Sequence, residues 1–407
     1  MSASAGVLAA LRFRDYRLLW IGLLISNLGS WMQFTAQGYL VAQIAGSPHQ
    51  AALDLGFLGA ARAIPVLFCS PIAGVVADTL PRRRVLLLTN TTMSLAALAL
   101  AILATLNRLD LPWLLVISAI NAAANAFDSP VRQSWMPLLV DRAYIGNAIG
   151  LNSVAFNAPA VIGPAIAGVL IVWVGVAGSF YVNAVATLAV VVAVGMMRPS
   201  PPSTAKREPM LASMRGGIVF LFAHPILRWI MATFVVMAIF ARPYSQLIPA
   251  YIVNVLHGNA QALGWAVAAA GIGGFGGALL TAAFAGREPR SIQWVLAGVL
   301  TALGLIALAA IHSVAWALPA LAMIGVGTLA FLGATNTLIQ TLTPDAVRGR
   351  AIAVYTMVAI GVVPLGSLVI GAIASVIGLH AAFALAGSIS LVCVAAAYAL
   401  NPIIRTV

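Results

Sequence analysis

Ser118, Asn121, Asn125, Asp128 and Arg132 follow one another at spacings of 3, 4, 3 and 4 within an otherwise apolar segment. Those intervals return to one side of an α-helix. Hydrocarbon does not solvate an aspartate, so this stripe must face a bundle interior or a water-filled cavity. Two chemistries are open to Asp128 and Arg132, which stand one helical turn apart. As an ion pair they brace or close a gate at one end of the helix. As a proton-coupling pair they are parted by a conformational change, and the acid's proton affinity changes when its guanidinium leaves. Asn121 and Asn125 are uncharged and share the face, which suits an organic ligand that is bound and then released.

A second polar face, Ser26, Ser30, Gln33 and Gln37, lies in the first apolar segment at spacings of 4, 3 and 4. Gln33 and Gln37 either line a substrate cavity or join helices by hydrogen bonds. Arg242-Pro243-Tyr244-Ser245-Gln246 interrupts a later segment. Proline frees backbone carbonyls, which membrane depth tolerates only against protein or water. Arg242 and Tyr244 are therefore placed in the same cavity, where Arg242 meets either an anionic substrate group or a helix C-terminus. Arg62 carries the same two readings. A charged hairpin, Gly74-Val-Val-Ala-Asp78-Thr-Leu-Pro81-Arg82-Arg83-Arg84, separates two long apolar runs. Pro81 stops the helix, Gly74 allows close backbone approach, and three arginines hold this turn on the cytoplasmic side.

Other chemistries are excluded. The only lysine, Lys206, follows no phosphate-binding glycines, so no nucleotide loop is present. Histidines, cysteines and carboxylates form no metal-binding cluster, and no nucleophile–base set suggests an enzyme. Neither cofactor nor metal is expected. Cys69 and Cys393 both fall inside apolar runs and read as small membrane-core residues.

These residues are carried by a chain that is 62% hydrophobic and 7% charged, which places it among polytopic α-helical membrane proteins. Apolar runs mark twelve spans, at about 17–43, 53–77, 85–106, 111–135, 144–173, 177–197, 226–254, 261–285, 291–311, 314–340, 347–375 and 379–401. Of the 21 basic residues, all but Arg62, Arg108 and Arg242 fall on one side, which puts both termini in the cytoplasm. The net charge of +12 thus orients the protein and meets anionic lipid headgroups; nucleic acid is not an expected partner. The Pro/Ser-rich stretch that begins at Pro199 marks a cytoplasmic linker, 198–225, between an N-terminal bundle, 1–197, and a C-terminal bundle, 226–407. A shift of 203 residues lays Gly74 on Gly277, Gly146 on Gly349, Gly163 on Gly366 and Gly168 on Gly371. A constant offset of half the length implies two parallel six-helix repeats with substrate bound between them. The second copy of the charged hairpin, Gly286 to Arg290, is degenerate.

The hairpin resembles the loop motif G-x-x-x-D-R-x-G-R-R of the major facilitator superfamily, departing from it at Thr79 and Pro81. Phe13-Arg14-Asp15-Tyr16-Arg17, Gly29-Ser30-Trp31-Met32-Gln33 and Phe127-Asp128-Ser129-Pro130-Val131-Arg132-Gln133 resemble the branch of enterobactin-exporter-like and drug-exporter-like proteins. Gly150, Gly163, Pro164 and Gly168 match four of six fixed positions of that superfamily's antiporter motif, with Pro159 and Ala167 as the departures. The resemblance implies a secondary transporter of the inner membrane that exports a drug-like or siderophore-like compound by proton antiport. It also implies that Asp78 latches onto the start of the eleventh helix. Uptake or uniport, and a non-transporting sensor on the same scaffold, are the alternatives. A monomer is expected.

Overall fold

A computed structural model describes residues 8–198, 210–284 and 290–406, and no strand occurs among them. In chain order the helices are α1 (Arg14–Ile44), α2 (Pro48–Thr79), α3 (Arg82–Thr105), α4 (Leu111–Trp135), α5 (Ile145–Met196), α6 (Met210–Ala223) and α7 (Leu227–Val236). Then come α8 (Tyr244–Ala250), α9 (Ala260–Ala283), α10 (Arg290–Ala310), α11 (Val314–Leu342), α12 (Asp345–Met357), α13 (Val363–Ile377) and α14 (Leu379–Leu400). Among the described residues, nine stretches are long and apolar enough to cross a membrane. One of these, Arg142–Met196, has 55 residues and holds two crossings, because Gly175 breaks α5 at φ +72° and ψ 179°. The 31 residues of α1 rise about 47 Å at 1.5 Å each, and its polar face accounts for its lower hydropathy. A π-helical turn, Val358–Val362, joins α12 to α13 in one further crossing. The described helices thus make twelve crossings, as the apolar runs imply.

Local sequence explains where helices start. Pro81 stands at the N-cap of α3. Asp110 accepts a hydrogen bond from the Trp113 amide at the start of α4, and Asn259 does the same for Ala262 at the start of α9. Trp113, Trp173, Trp265 and Trp316 are all exposed and lie close to the turns that end their spans. That is the placement an aromatic belt at a membrane surface requires.

The chain divides into two compact units, one of Met1–Leu40 with Ala61–Lys206, the other of Val41–Ala60 with Arg207–Val407. Residues 41–60 belong with the second unit because their backbone packs closely there. A Cβ on Gly371 would lie 2.6 Å from the Ala52 carbonyl oxygen, and Asn254 donates to the Ala42 carbonyl at 2.9 Å. Within the first unit, Tyr16, Trp20 and Asn27 of α1 donate to carbonyls of Ala148, Leu151 and Ala155 on α5. Leu19, Leu86, Val131, Trp135 and Val194 form an apolar core beside them. Packing and such hydrogen bonds hold helices together where lipid removes the hydrophobic drive.

The segment expected to be a linker is not a tether throughout. Residues 199–209 lie outside the described residues, as do 285–289 of the degenerate hairpin, but Met210–Ala223 is helical. This helix packs against α12 so tightly that a Cβ on Gly217 would lie 2.6 Å from the Arg350 carbonyl oxygen. Of its apolar run, Leu221 is fully buried, while Ile218, Val219 and Phe222 remain exposed.

The repeat offset reappears in the backbone. Gly175 and Gly378, 203 residues apart, share the same glycine-only conformation, with φ +72° and +80° and ψ 179° and 161°; other residues are strained there. Gly163 and Gly366, at the same offset, both lie at close helix crossings. A Cβ on Gly163 would lie 2.7 Å from the Trp31 Cβ, and one on Gly366 would lie 2.5 Å from the Ile239 carbonyl oxygen.

Candidate functional site

The proton-coupling candidates form a sealed cluster in the first unit. Asp128 Oδ2 accepts from Arg132 Nε at 3.0 Å, while Oδ1 accepts from Asn90 Nδ2 at 2.7 Å and Thr89 Oγ1 at 3.3 Å. Asp128 is 4% exposed and Arg132 5%. The guanidinium of Arg132 lies over the Phe156 ring at 4.7 Å. A buried carboxylate survives when its lone pairs are matched in this way. Sequence spacing does not single out Thr89 and Asn90, although the polar run Thr89-Asn90-Thr91-Thr92 within the apolar stretch of α3 is signal enough. One helix supplies the acid and its cation, and a neighbouring helix supplies the neutral donors. Movement of α4 against α3 would therefore leave the ion pair intact and strip two donors from the carboxylate.

The polar face of α1 is mostly occupied. Gln33 accepts from Asn183 Nδ2 of α5 at 2.7 Å, so it joins two helices rather than facing a ligand. Gln37 donates to Ser118 Oγ at 3.1 Å and accepts from Arg62, whose guanidinium lies 4.7 Å over the Phe34 ring. Gln37 therefore ties α1 to both α4 and α2. Asn121 and Asn125 differ. They lie between Ser118 and Asp128 on α4, half-buried and exposed respectively, and make no hydrogen bond among the described residues. They are the open part of the stripe.

In the second unit the span that starts at α7 is irregular where the prolines require it. Met237–Ala241 is a π-helical turn, closed by the Arg242 amide on the Met237 carbonyl at 2.9 Å; Pro243 follows. Arg242 Nη1 donates to the Ala359 carbonyl at 2.5 Å. Ala359 itself lies in the π turn Val358–Val362. Tyr244 is buried. Tyr355, which no sequence pattern singles out, stacks on Phe234 at 5.0 Å and donates to the Leu332 carbonyl at 3.0 Å. π turns recur at functional sites because they free backbone groups.

The charged hairpin turns out to be three different arginines. Arg82 is buried and donates to Ser134 Oγ at 3.4 Å. Arg83 caps the end of α5, donating to the carbonyls of Val194 at 3.1 Å and Gly195 at 2.5 Å. Arg84 is exposed. Asp78 lies in the last turns of α2, but its side chain is outside the described residues. Among the described residues the close approach expected of Gly74 is not seen, since a Cβ there would meet nothing within 4 Å. Gly150 is equally open. In the antiporter-like motif Gly163 carries the helix crossing, with Pro164 and Gly168 buried beside it. No group of three or more histidine, cysteine or acidic side chains among the described residues could hold a metal ion.

Comparison with known proteins bears on the family and the fold. The family model MFS_3, described as transmembrane secretion effector, matches residues 5–405. The multidrug efflux pump Tap of Mycolicibacterium fortuitum is 27% identical over 377 residues, which cover 90% of each chain. The enterobactin exporter EntS of Citrobacter koseri is 24% identical, covering 84% of this chain and 80% of EntS. Among solved structures, a point mutant of the nucleoside transporter NupG superposes with a TM-score of 0.75 at 14% identity, covering 95% of this chain and 99% of NupG. The fold is that of the major facilitator superfamily.

Proposed function

Because the chain belongs to the transmembrane secretion effector family of major facilitator proteins, we propose that it is a secondary transporter exporting a small organic compound across the inner membrane. Alternating access moves the compound, and protons flowing inward drive it. Both termini lie in the cytoplasm, and the protein acts as a monomer among membrane lipids. In the first unit Asn121 and Asn125 are the contacts offered to the compound, and Gln37 sets the position of α1 against α4; in the second unit the groups offered are Arg242 and Tyr244. Of the two readings open to Gln33, its hydrogen bond with Asn183 supports helix joining.

One observation carries the coupling. Asp128 is buried, fully hydrogen-bonded, and next along the helix face from the open amide of Asn125. A carboxylate held by donors from two helices changes its proton affinity when those helices move apart. Substrate arriving at the open end of the stripe and a proton arriving at Asp128 therefore compete through one helix, α4.

Everted membrane vesicles with a respiration-driven pH gradient test this. Wild type and Asp128→Asn are challenged with siderophore-like and drug-like compounds while a fluorescent probe follows the gradient. The expected result is collapse of the gradient by a transported compound in wild type and its loss in Asp128→Asn. Collapse of equal size in both would return Asp128 to a gate brace.

A further inference from the structure

We infer that the transported compound is an organic acid, and that Arg242 is the group that recognises its negative charge. This rests on the assignment of Arg242 to substrate binding and adds the chemical class.

From α7 to α14 the chain contains two acids, Glu288 and Asp345. Glu288 falls between α9 and α10, and Asp345 begins α12, where it pairs with Arg348 at 2.5 Å. The remaining carboxylate of the unit that the structure describes, Asp54, accepts from Gln50 one turn away on its own helix at 2.7 Å. Arg242 has no carboxylate within ion-pair distance among the described residues. It sits at the middle of the 29-residue crossing Leu227–Val255, too far from either end for its head to reach the membrane surface. A guanidinium offers five donors, and the structure gives this one a single acceptor, the Ala359 carbonyl. The titratable groups around it are the phenols Tyr244 and Tyr355, which are neutral hydrogen-bonding groups.

A cation at membrane depth without a counter-ion is costly, and here the compensation is incomplete. An anionic ligand supplies the missing charge and the acceptors together, in the bidentate geometry that arginine favours. A cationic ligand would meet an uncompensated positive charge, and the one acid described from α7 to α14, Asp345, is already paired with Arg348. Both ends of the Arg242–Ala359 hydrogen bond lie at π turns, where local rearrangement lets a ligand carboxylate replace the backbone carbonyl. A purely structural arginine, tying its helix to α13, would show no preference between an acid and its neutral analogue.

The test uses purified full-length protein in detergent, with ligand binding followed by tryptophan fluorescence. The probes are 2,3-dihydroxybenzoate, citrate and carboxyfluorescein, each beside its neutral amide or ester, and tetraphenylphosphonium as a cation. At least one acid is expected to bind about tenfold or more tightly than its neutral analogue, and the ratio should fall to near one in Arg242→Gln. Arg242→Lys should keep part of it. The ratio is internal to each preparation, so a partly unfolded variant does not distort it. A wild type that binds no acid preferentially, or a preference that survives Arg242→Gln, overturns the inference. The same compounds are then followed in everted vesicles. Export of tetraphenylphosphonium without any acid preference leaves the exporter standing and removes the organic acid. An Arg242-dependent acid preference without export leaves the recognition standing and removes the exporter.

Discussion

At the scale of single residues, what decides function is which polar atoms are already matched. Asp128 has both carboxylate oxygens engaged, Gln33 and Gln37 are engaged across helices, and Asn121 and Asn125 are not. Spacing alone places all of them on two helix faces, but it cannot tell a satisfied amide from an open one, because the partner comes from another helix. That is why spacing leaves Gln33 open between a ligand and a neighbouring helix, and why it passes over Asn90, Thr89 and Asn183. His224 shows the same dependence outside the membrane. It links α6 to α7, and its Nδ1 accepts from the amides of Ile226 and Leu227 at 3.3 Å each. Burial lowers its pKa from the ordinary 6.5. The neutral ring therefore adds stability above the ordinary imidazole range. That contribution falls as the unfolded chain protonates below about 6.5, and it is lost as pH passes through the lowered folded value. Thermal unfolding of wild type and His224→Ala in detergent should differ most at about pH 8 and converge towards about pH 5. A gap that widens on acidification would mean that the charged ring is the favoured form.

At the scale of elements, glycines separate into those that admit a neighbouring backbone and those that do not. Gly163 and Gly366 mark crossings where a Cβ would strike a side chain or a carbonyl, whereas Gly74 and Gly150 face open space. Gly163→Ala should cost about 1–3 kcal/mol through overpacking and lower the unfolding temperature, with Gly366→Ala behaving alike. Gly74→Ala and Gly150→Ala should unfold as wild type does. Equal losses at all four positions would show that the open pair is packed in the folded protein. Helix number and order are legible because apolar length is a strong signal, and the bend at Gly175 falls between two expected spans. The helical half of the linker is not legible. Proline and serine at its start draw attention from Gly216-Gly217, whose close approach only α12 explains.

At the scale of the molecule, the half-length offset proves to be more than coincident glycines, since Gly175 and Gly378 adopt one backbone conformation at the same offset. Two copies of one design have nonetheless come to differ in charge. The first unit carries an aspartate locked to an arginine, while Arg242 has no carboxylate within ion-pair distance among the described residues. This imbalance has an electrical consequence. If a monoanion leaves through a protein that admits one proton per cycle, two charges move in the direction favoured by a negative cell interior. At about 2.3 kcal/mol per charge per 100 mV, voltage alone would sustain a concentration ratio on the order of a thousandfold. Liposomes bearing the protein on a capacitive electrode should then give a transient current when an acid substrate is added, and Arg242→Gln should abolish it. Half that charge per molecule moved would mean that the substrate's charge is neutralised before it crosses. The lone arginine would in that case serve as a docking point, and the cell's battery would act on the proton alone.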